Sequence, residues 1–151
     1  MLSQRQYYEQ WIRDYLAPRY PELVCEMSMA LRAFDAALSS GVLTDGQLKT
    51  LVESAHSERK SLGENAAALL GELIPRFPEA QRAVREMIKH PKSHVRINAL
   101  VAISSTEPTM LHRDLLRMSL KDRSSKVRLL AADKIMQFGL GDLLADPEGH
   151  G

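Results

Sequence analysis

Histidine side chains are the first candidates for chemistry in this sequence. His90 and His94 stand four residues apart, a spacing that suits zinc when both rings lie on one helix face. Pro91 lies between them, however, and interrupts the helix that would aim both rings at one ion. His112 is the one evident third ligand, whereas a structural zinc site needs four. We therefore expect no metal site.

No combination of side chains in the sequence indicates a catalytic centre. It contains no Gly-x-Ser-x-Gly elbow, no Gly-x-x-x-x-Gly-Lys phosphate loop and no Cys-x-x-Cys pair. The single cysteine, Cys25, stands near Met29 on a helical pattern, where we expect a small buried hydrophobe rather than a reactive thiol. One cysteine also excludes an intrachain disulfide framework and fits a reducing compartment. We expect a protein that is not an enzyme and needs no cofactor.

Length and composition are those of one folded domain. The chain has 151 residues, of which 44% are hydrophobic and 26% charged. It shows no apolar run long enough to span a membrane and no apolar secretion signal at its start. We therefore expect no membrane partner and a cytoplasmic location.

Charge is distributed unevenly along the chain. Residues 1–80 carry 8 Lys and Arg against 11 Asp and Glu, whereas residues 81–130 carry 11 against 4. The last 21 residues carry 1 against 4. A basic block between two acidic ones indicates a surface that could attract an anionic partner.

Basic side chains within this block recur in register, and we call the set the basic rim. Its eight members are Arg85, Lys89, Lys92, His94, Arg117, Lys121, Arg123 and Lys126. Two interpretations remain open: the lysines offset the partial negative charge of helix C-termini, or the rim docks phosphates or an acidic protein. Because the block contains no aromatic residue, any nucleic-acid contact would be to the phosphate backbone rather than to stacked bases.

The elements that must position these side chains are helices. Leu48, Leu51, Val52 and Ala55 follow the i, i+3, i+4, i+7 spacing of one helical stripe. No segment alternates convincingly, so the fold class is predicted to be all-α.

Caps and helix breakers place the helix boundaries. Three capping boxes predict helix starts at Ser3 with Gln6, Thr44 with Gln47, and Ser61 with Glu64. Pro18 and Pro21 are expected to close the first helix, and Gly41 is expected to end the second, which runs from about Glu22 to Leu38. Three further starts are predicted at Pro78, Ser93 and Pro108.

A repeated motif indicates how the helices are arranged. The segment 95–99, Val-Arg-Ile-Asn-Ala, returns 32 residues later at 127–131 as Val-Arg-Leu-Leu-Ala. A weaker predecessor, Leu-Gly-Glu-Asn-Ala, lies 33 residues earlier at 62–66. Such a period predicts stacked helical hairpins, each too small to bury its own apolar face.

The sequence around the last motif resembles the HEAT-repeat family. Asp122, followed five residues later by Val127-Arg128 and then by small residues, is similar to that family's turn and second helix. The resemblance is best over 78–138 and implies a right-handed α-solenoid of about four hairpins, with Asp122 and Arg128 linking adjacent repeats. His90 takes the place of the aspartate in the preceding repeat, which interrupts such a ladder.

Domain boundaries follow from this period. We expect one solenoid domain over 1–146, consisting of a divergent capping hairpin 1–43, repeats 44–77, 78–106 and 107–138, a stub 139–146, and then a flexible tail 147–151. The first hairpin is rich in aromatic residues, which serve either to cap the stack or to bind a partner. They are Tyr7, Tyr8, Trp11, Tyr15 and Tyr20. Leu140, Leu143 and Leu144 either fold over the last helix or leave an edge that could dimerise.

Three functions are compatible with these observations. We expect first a non-catalytic scaffold or adaptor that binds a protein partner, which could be acidic, as a monomer or weak homodimer. The alternative is nucleic-acid backbone binding through residues 81–130. The least favoured is a repair glycosylase of the helical-repeat type, which holds a damaged base with Trp and Asp. Trp11 and Asp14 lie in the least repeat-like hairpin, so these roles are not assigned to them.

Overall fold

The computed structural model describes residues 2–145. Helices make up 75% of the chain and the described residues contain no strand, which confirms the all-α prediction. The α-helices are α1 Gln4–Trp11, α2 Ala17–Arg19, α3 Val24–Ser40, α4 Asp45–Ala55, α5 Lys60–Glu72, α6 Pro78–Met87, α7 Ser93–Ile103, α8 Met110–Ser119, α9 Ser125–Gln137 and α10 Asp142–Ala145. The tail expected at 147–151 lies outside the described residues.

Two of the three predicted capping boxes are present. Ser3 Oγ accepts the Gln6 N–H at 3.2 Å, and Thr44 Oγ1 accepts the N–H three residues on at 3.2 Å. Gly41 ends α3 with φ at 75°, as the sequence predicts. The third box is wrong, because α5 begins at Lys60 and Ser61 already lies inside it.

Two prolines were misplaced by the sequence analysis. Pro18 does not close the first helix but lies within α2, after a π-helical turn over Ile12–Leu16. In that turn the Ala17 N–H donates to the carbonyl five residues back, so the backbone widens before the proline. Pro108 precedes α8, which starts at Met110.

Successive helices pack as pairs, and the second member of each pair packs against the next. Helix α4 packs against α5, α6 against α7, and α8 against α9, while α3, α5, α7 and α9 contact one another in series. The starts of α4, α6 and α8 lie 33 and 32 residues apart, at Asp45, Pro78 and Met110. The starts of α5, α7 and α9 repeat those steps.

Equivalent positions of the pairs are buried in the same way. Leu62, Val95 and Val127, the third residues of α5, α7 and α9, are all buried. The alanines four residues later are fully buried as well. These side chains form a continuous core between neighbouring pairs.

Helices α5 and α7 approach closely because two glycines lie between them. A Cβ atom on Gly71 would stand 1.9 Å from the Ala102 carbonyl oxygen, a distance no real pair of atoms adopts. A Cβ atom on Gly63 would stand 2.5 Å from the Ser57 carbonyl oxygen. Glycine at both positions therefore sets the spacing of these helices.

The two ends of the stack differ in how they are covered. At the first end Tyr8 is buried, and Trp11 stacks on Tyr15 with 5.7 Å between ring centroids. At the other end Leu143 of α10 is buried, whereas Leu129 on α9 remains 68% exposed. In the part of the chain that the structure describes, no helix has the length and apolar character needed to cross a membrane.

Candidate functional site

Three turns, each joining the two helices of a pair, carry most of the basic rim. They comprise residues 56–59, 88–92 and 120–124, and we call them together the turn edge. Each turn uses its own side chain to organise the following helix. Ser57 Oγ, His90 Nδ1 and Asp122 Oδ1 accept the backbone N–H two residues on, at 3.0, 3.1 and 2.8 Å.

An ion pair at the turn edge connects the second pair of helices to the third. Arg96 on α7 donates from Nε and Nη2 to the two carboxylate oxygens of Asp122, at 2.8 and 3.0 Å. Its Nη1 donates to the carbonyl oxygens of His90 and Pro91. Burial alone would raise the pKa of Asp122, but hydrogen bonds from Arg96 and a backbone N–H outweigh it and lower that pKa.

This pairing corrects the role that the family resemblance implied for Arg128. Arg128 does not bind the carboxylate of Asp122; its Nη1 donates to the backbone oxygen of Asp122 at 2.6 Å, within its own pair of helices. The carboxylate is already held from the other side by Arg96. Arg96 is therefore the inter-repeat partner, because it approaches from the preceding pair.

A different bond connects the first pair to the second. His90 holds its helix cap but offers no carboxylate, and the position one repeat before Arg96 is Gly63. The side chain of Asn98 occupies this space, and its Nδ2 donates to the Ala55 carbonyl at 2.8 Å. A buried amide thus replaces the Arg–Asp link at this junction.

Several members of the basic rim are engaged by neighbouring groups. Arg85 pairs with Asp114 at 3.4 Å, and Lys92 lies 3.8 Å from Glu58. Arg123 donates to the carbonyl oxygen of Pro91 at 2.7 Å. His94 Nε2 lies 2.8 Å from the carbonyl oxygen of His56. These four side chains link adjacent pairs as well as carrying charge.

The structure separates the rim instead of uniting it. Lys89, Lys121 and Arg123 line one cavity of about 360 Å³ between the second and third turns. His94 and Lys126 line another, of about 310 Å³, and Arg85 lines a third. Arg117 is half-buried and lines none of these. The eight residues therefore do not form one continuous row.

The shared cavity of about 360 Å³ has features that the sequence did not reveal. Its wall includes Ser119, which is 1% exposed and whose Oγ has no hydrogen-bond partner among the described residues. Met118, 45% exposed, adds an apolar surface. Ser119 belongs to no recognisable motif, so only the three-dimensional arrangement identifies it.

A wider groove of about 840 Å³ lies at the opposite end of the helices. It is lined by the loops 73–77 and 104–109, which join one pair to the next, together with the start of α8 and the end of α9. Met110 lines this groove and is 66% exposed. We call it the loop-edge groove.

Two histidines near the turn edge serve the backbone. His90 and His94 lie in a turn and in α7, not on one helix, and His90 contacts the His56 ring edge-to-face at 5.1 Å. Burial, the neighbouring histidines and the cations Lys92 and Arg96 lower the pKa of His90. Among residues 2–145, no group of three or more His, Cys, Asp or Glu side chains is placed to hold a metal ion.

His112 is a buried structural residue. Its Nδ1 accepts the Thr109 N–H at 3.2 Å, and its Nε2 lies 2.7 Å from the Ile103 carbonyl oxygen. This pattern requires the neutral ring with hydrogen on Nε2. Burial lowers the pKa of His112, outweighing the opposing effect of the carbonyl at Ile103.

The expectation that Cys25 is buried is wrong. The thiol is exposed, because the buried stripe of α3 follows Met27, Ala30 and Phe34. Met29, four residues after the cysteine, is also exposed and marks the same outer face.

Trp11 and Asp14 do not form a common site. Trp11 is half-buried and stacks on Tyr15 with an interplanar angle of 15°. Asp14 lies 3.4 Å from Arg13 and is exposed. Neither arrangement provides a pocket for a base.

Comparison of the chain with protein-family models, curated proteins and solved structures finds no match. The HEAT-like character of the chain therefore remains a hypothesis based on its own sequence and helix packing.

Proposed function

We propose that this chain is a HEAT-like α-solenoid that acts as a non-catalytic scaffold and binds a protein partner along its edges. The serial packing of α3, α5, α7 and α9 supports this proposal, because each pair of helices leaves a turn and a loop exposed. Stacked repeats commonly use such extended surfaces for binding.

The observation that carries the proposal is the loop-edge groove. Its wall combines apolar side chains such as Met110 and Phe138 with polar ones such as Gln81 and Thr106. Interfaces with proteins combine these two kinds of surface. The groove follows the loops of consecutive pairs, so it accommodates an extended segment better than a compact ligand.

Affinity capture with matched variants tests the proposal. The full chain is used to capture proteins from the cells that encode it, in parallel with Met110→Glu, Lys121→Glu and the control Leu129→Glu. Met110 and Leu129 are similarly exposed, at 66% and 68%, but Leu129 lines neither the groove nor the shared cavity. We expect a stoichiometric partner that at least one edge variant loses and the control retains. Absence of any partner, or equal retention by all variants, would contradict the proposal.

Nucleic-acid backbone binding is the second candidate. It is favoured by Lys89, Lys121 and Lys126, which are exposed and make no ion pair with any described residue. It is disfavoured by the division of the rim among several cavities. Retention on a DNA column that falls steeply with salt is expected for this function, and passage at low salt excludes it.

A further inference from the structure

The cavity between the turns 88–92 and 120–124 combines three cations with a buried, unpartnered hydroxyl group. We propose that it binds a phosphate monoester, presented by a phosphorylated serine or threonine of the partner protein. The identity of the carrier rests on the proposed function, whereas the phosphate chemistry rests on the cavity itself.

The net charge of the cavity wall is positive. Lys89, Lys121 and Arg123 line it, and the only carboxylate among its lining residues belongs to Asp122. Both oxygens of that carboxylate are bound by Arg96, so this buried pair contributes little net field. Three cations thus face one small volume, which suits a group carrying close to two negative charges.

The lysines also follow the ends of α6 and α8, where a helix dipole favours cations. Dipole compensation accounts for Lys89 and Lys121 but not for the third cation. Arg123 belongs to the turn that precedes α9, and its Nη2 bond to Pro91 holds it across the gap between the two turns. A cation at the start of a helix opposes the dipole there, which indicates another use for its charge.

Ser119 provides the second, independent indication. Its Oγ is buried and has no hydrogen-bond partner among the described residues, although a buried hydroxyl group without one is costly. Because Ser119 lines the same cavity, a phosphate oxygen there would accept the missing hydrogen bond.

The surroundings favour a single monoester over a nucleic-acid backbone. A backbone presents a row of diesters and needs a row of free cations, yet Arg85 and Lys92 are paired with Asp114 and Glu58. The cavity also has an apolar wall formed by Met118 and Ile88, which suits the side chains that flank a phosphorylated residue.

Titration of the full chain, followed by backbone amide NMR, tests this inference. The probes are inorganic phosphate, a short phosphoserine peptide, its unphosphorylated counterpart and a short DNA duplex. We expect saturable shifts centred on Lys89, Ser119 and Lys121 with phosphate and the phosphopeptide, and none with the unphosphorylated peptide. Lys121→Glu should weaken phosphopeptide binding by about ten-fold or more, the loss expected for one charge-assisted hydrogen bond.

Lys126→Glu is the matched control, because it makes the same charge change at an exposed lysine that lines a different cavity. It should leave phosphopeptide affinity within about two-fold of the original, as expected for an exposed charge beyond the site. Lys89→Glu repeats the test independently of Lys121, and thermal unfolding verifies that each variant folds. The inference is overturned if the phosphopeptide produces no saturable shift, if Lys126→Glu is as damaging as Lys121→Glu, or if the duplex binds more tightly than the phosphopeptide.

The titration needs no natural partner, so its failure differs from a failure of the scaffold proposal. Capture of a partner that the phosphopeptide does not mimic would reject the phosphate site alone. Phosphopeptide binding without any captured partner would support the site and reject the scaffold.

Discussion

Arg96 and Asp122 lie 26 residues apart and meet through two hydrogen bonds between guanidinium and carboxylate, at 2.8 and 3.0 Å. Their side chains are only 5% and 10% exposed, which makes this the most buried ion pair among the described residues. The pair connects α7 to the turn before α9, and therefore one pair of helices to the next.

Replacement of Asp122 by asparagine tests the energetic weight of this link. Asp122→Asn leaves the Arg96 charge buried without its counter-charge, which should lower the free energy of unfolding by about 3 kcal/mol or more. The control is Asp114→Asn, which breaks the more exposed pair with Arg85 and should cost less than about 1 kcal/mol. Urea unfolding of the three proteins measures both values, and similar losses for the two variants would contradict a special role for Arg96.

The close approach of α5 and α7 makes a second prediction. Gly71→Ala places a methyl group on the Ala102 carbonyl and forces the helices apart, at the upper end of the roughly 1–3 kcal/mol cost of overpacking. Gly46→Ala serves as the control, because a Cβ atom there meets nothing within 4 Å and alanine favours the helix. Thermal unfolding should show a lower Tm for the first variant and an unchanged or higher Tm for the second. A Gly71→Ala protein as stable as the original would disprove this contact.

Buried His112 makes stability depend on pH. Its pKa lies below the ordinary value of 6.5, so the unfolded chain binds the proton more readily than the folded one. This contribution to stability is complete above pH 6.5 and declines as the pH falls from there towards the pKa of the folded state. The slope it adds is at most about 1.4 kcal/mol per pH unit. His112→Gln should remove this part of the pH dependence and leave any part due to His90, as urea unfolding between pH 7.5 and about 5 would reveal.

The exposed cysteine gives a rapid test of α3. Cys25 should react with a thiol reagent in the folded protein at close to the rate of a free thiol, with one equivalent consumed and no denaturant needed. Cys25→Ser provides the blank and should be as stable as the original. A thiol that reacts only after unfolding would show that α3 is rotated about its axis.

Local sequence signals identified several helix ends and failed at others for a physical reason. The boxes at Ser3 and Thr44 depend on residues three apart, so the sequence alone predicts them. Ser61 matches the same pattern, but the competing cap is Ser57, which accepts the Arg59 N–H from outside the helix. Such a turn has no distinctive spacing and becomes visible only by comparison with His90 and Asp122.

The candidate site was only partly predictable because its partners are distant in sequence. Register correctly placed Lys89 and Lys121 at matching turns, but it carried no information about Asp114 or Glu58, which neutralise other members of the rim. Ser119 gave no signal, since a serine near the end of a helix is ordinary. Which charges remain available is decided by the packing of neighbouring pairs.

Distances between spin labels test most directly the claim that the pairs are stacked in series. Labels are attached to cysteines at Lys60, Ser93 and Ser125, the exposed first residues of α5, α7 and α9, in a Cys25→Ser background. Packed helices lie about 8–10 Å apart. A serial stack therefore predicts similar distances for the pairs 60–93 and 93–125, and about 20 Å, close to their sum, for 60–125. A 60–125 distance no longer than the other two would show that the helices close into a bundle, and would contradict the proposed solenoid.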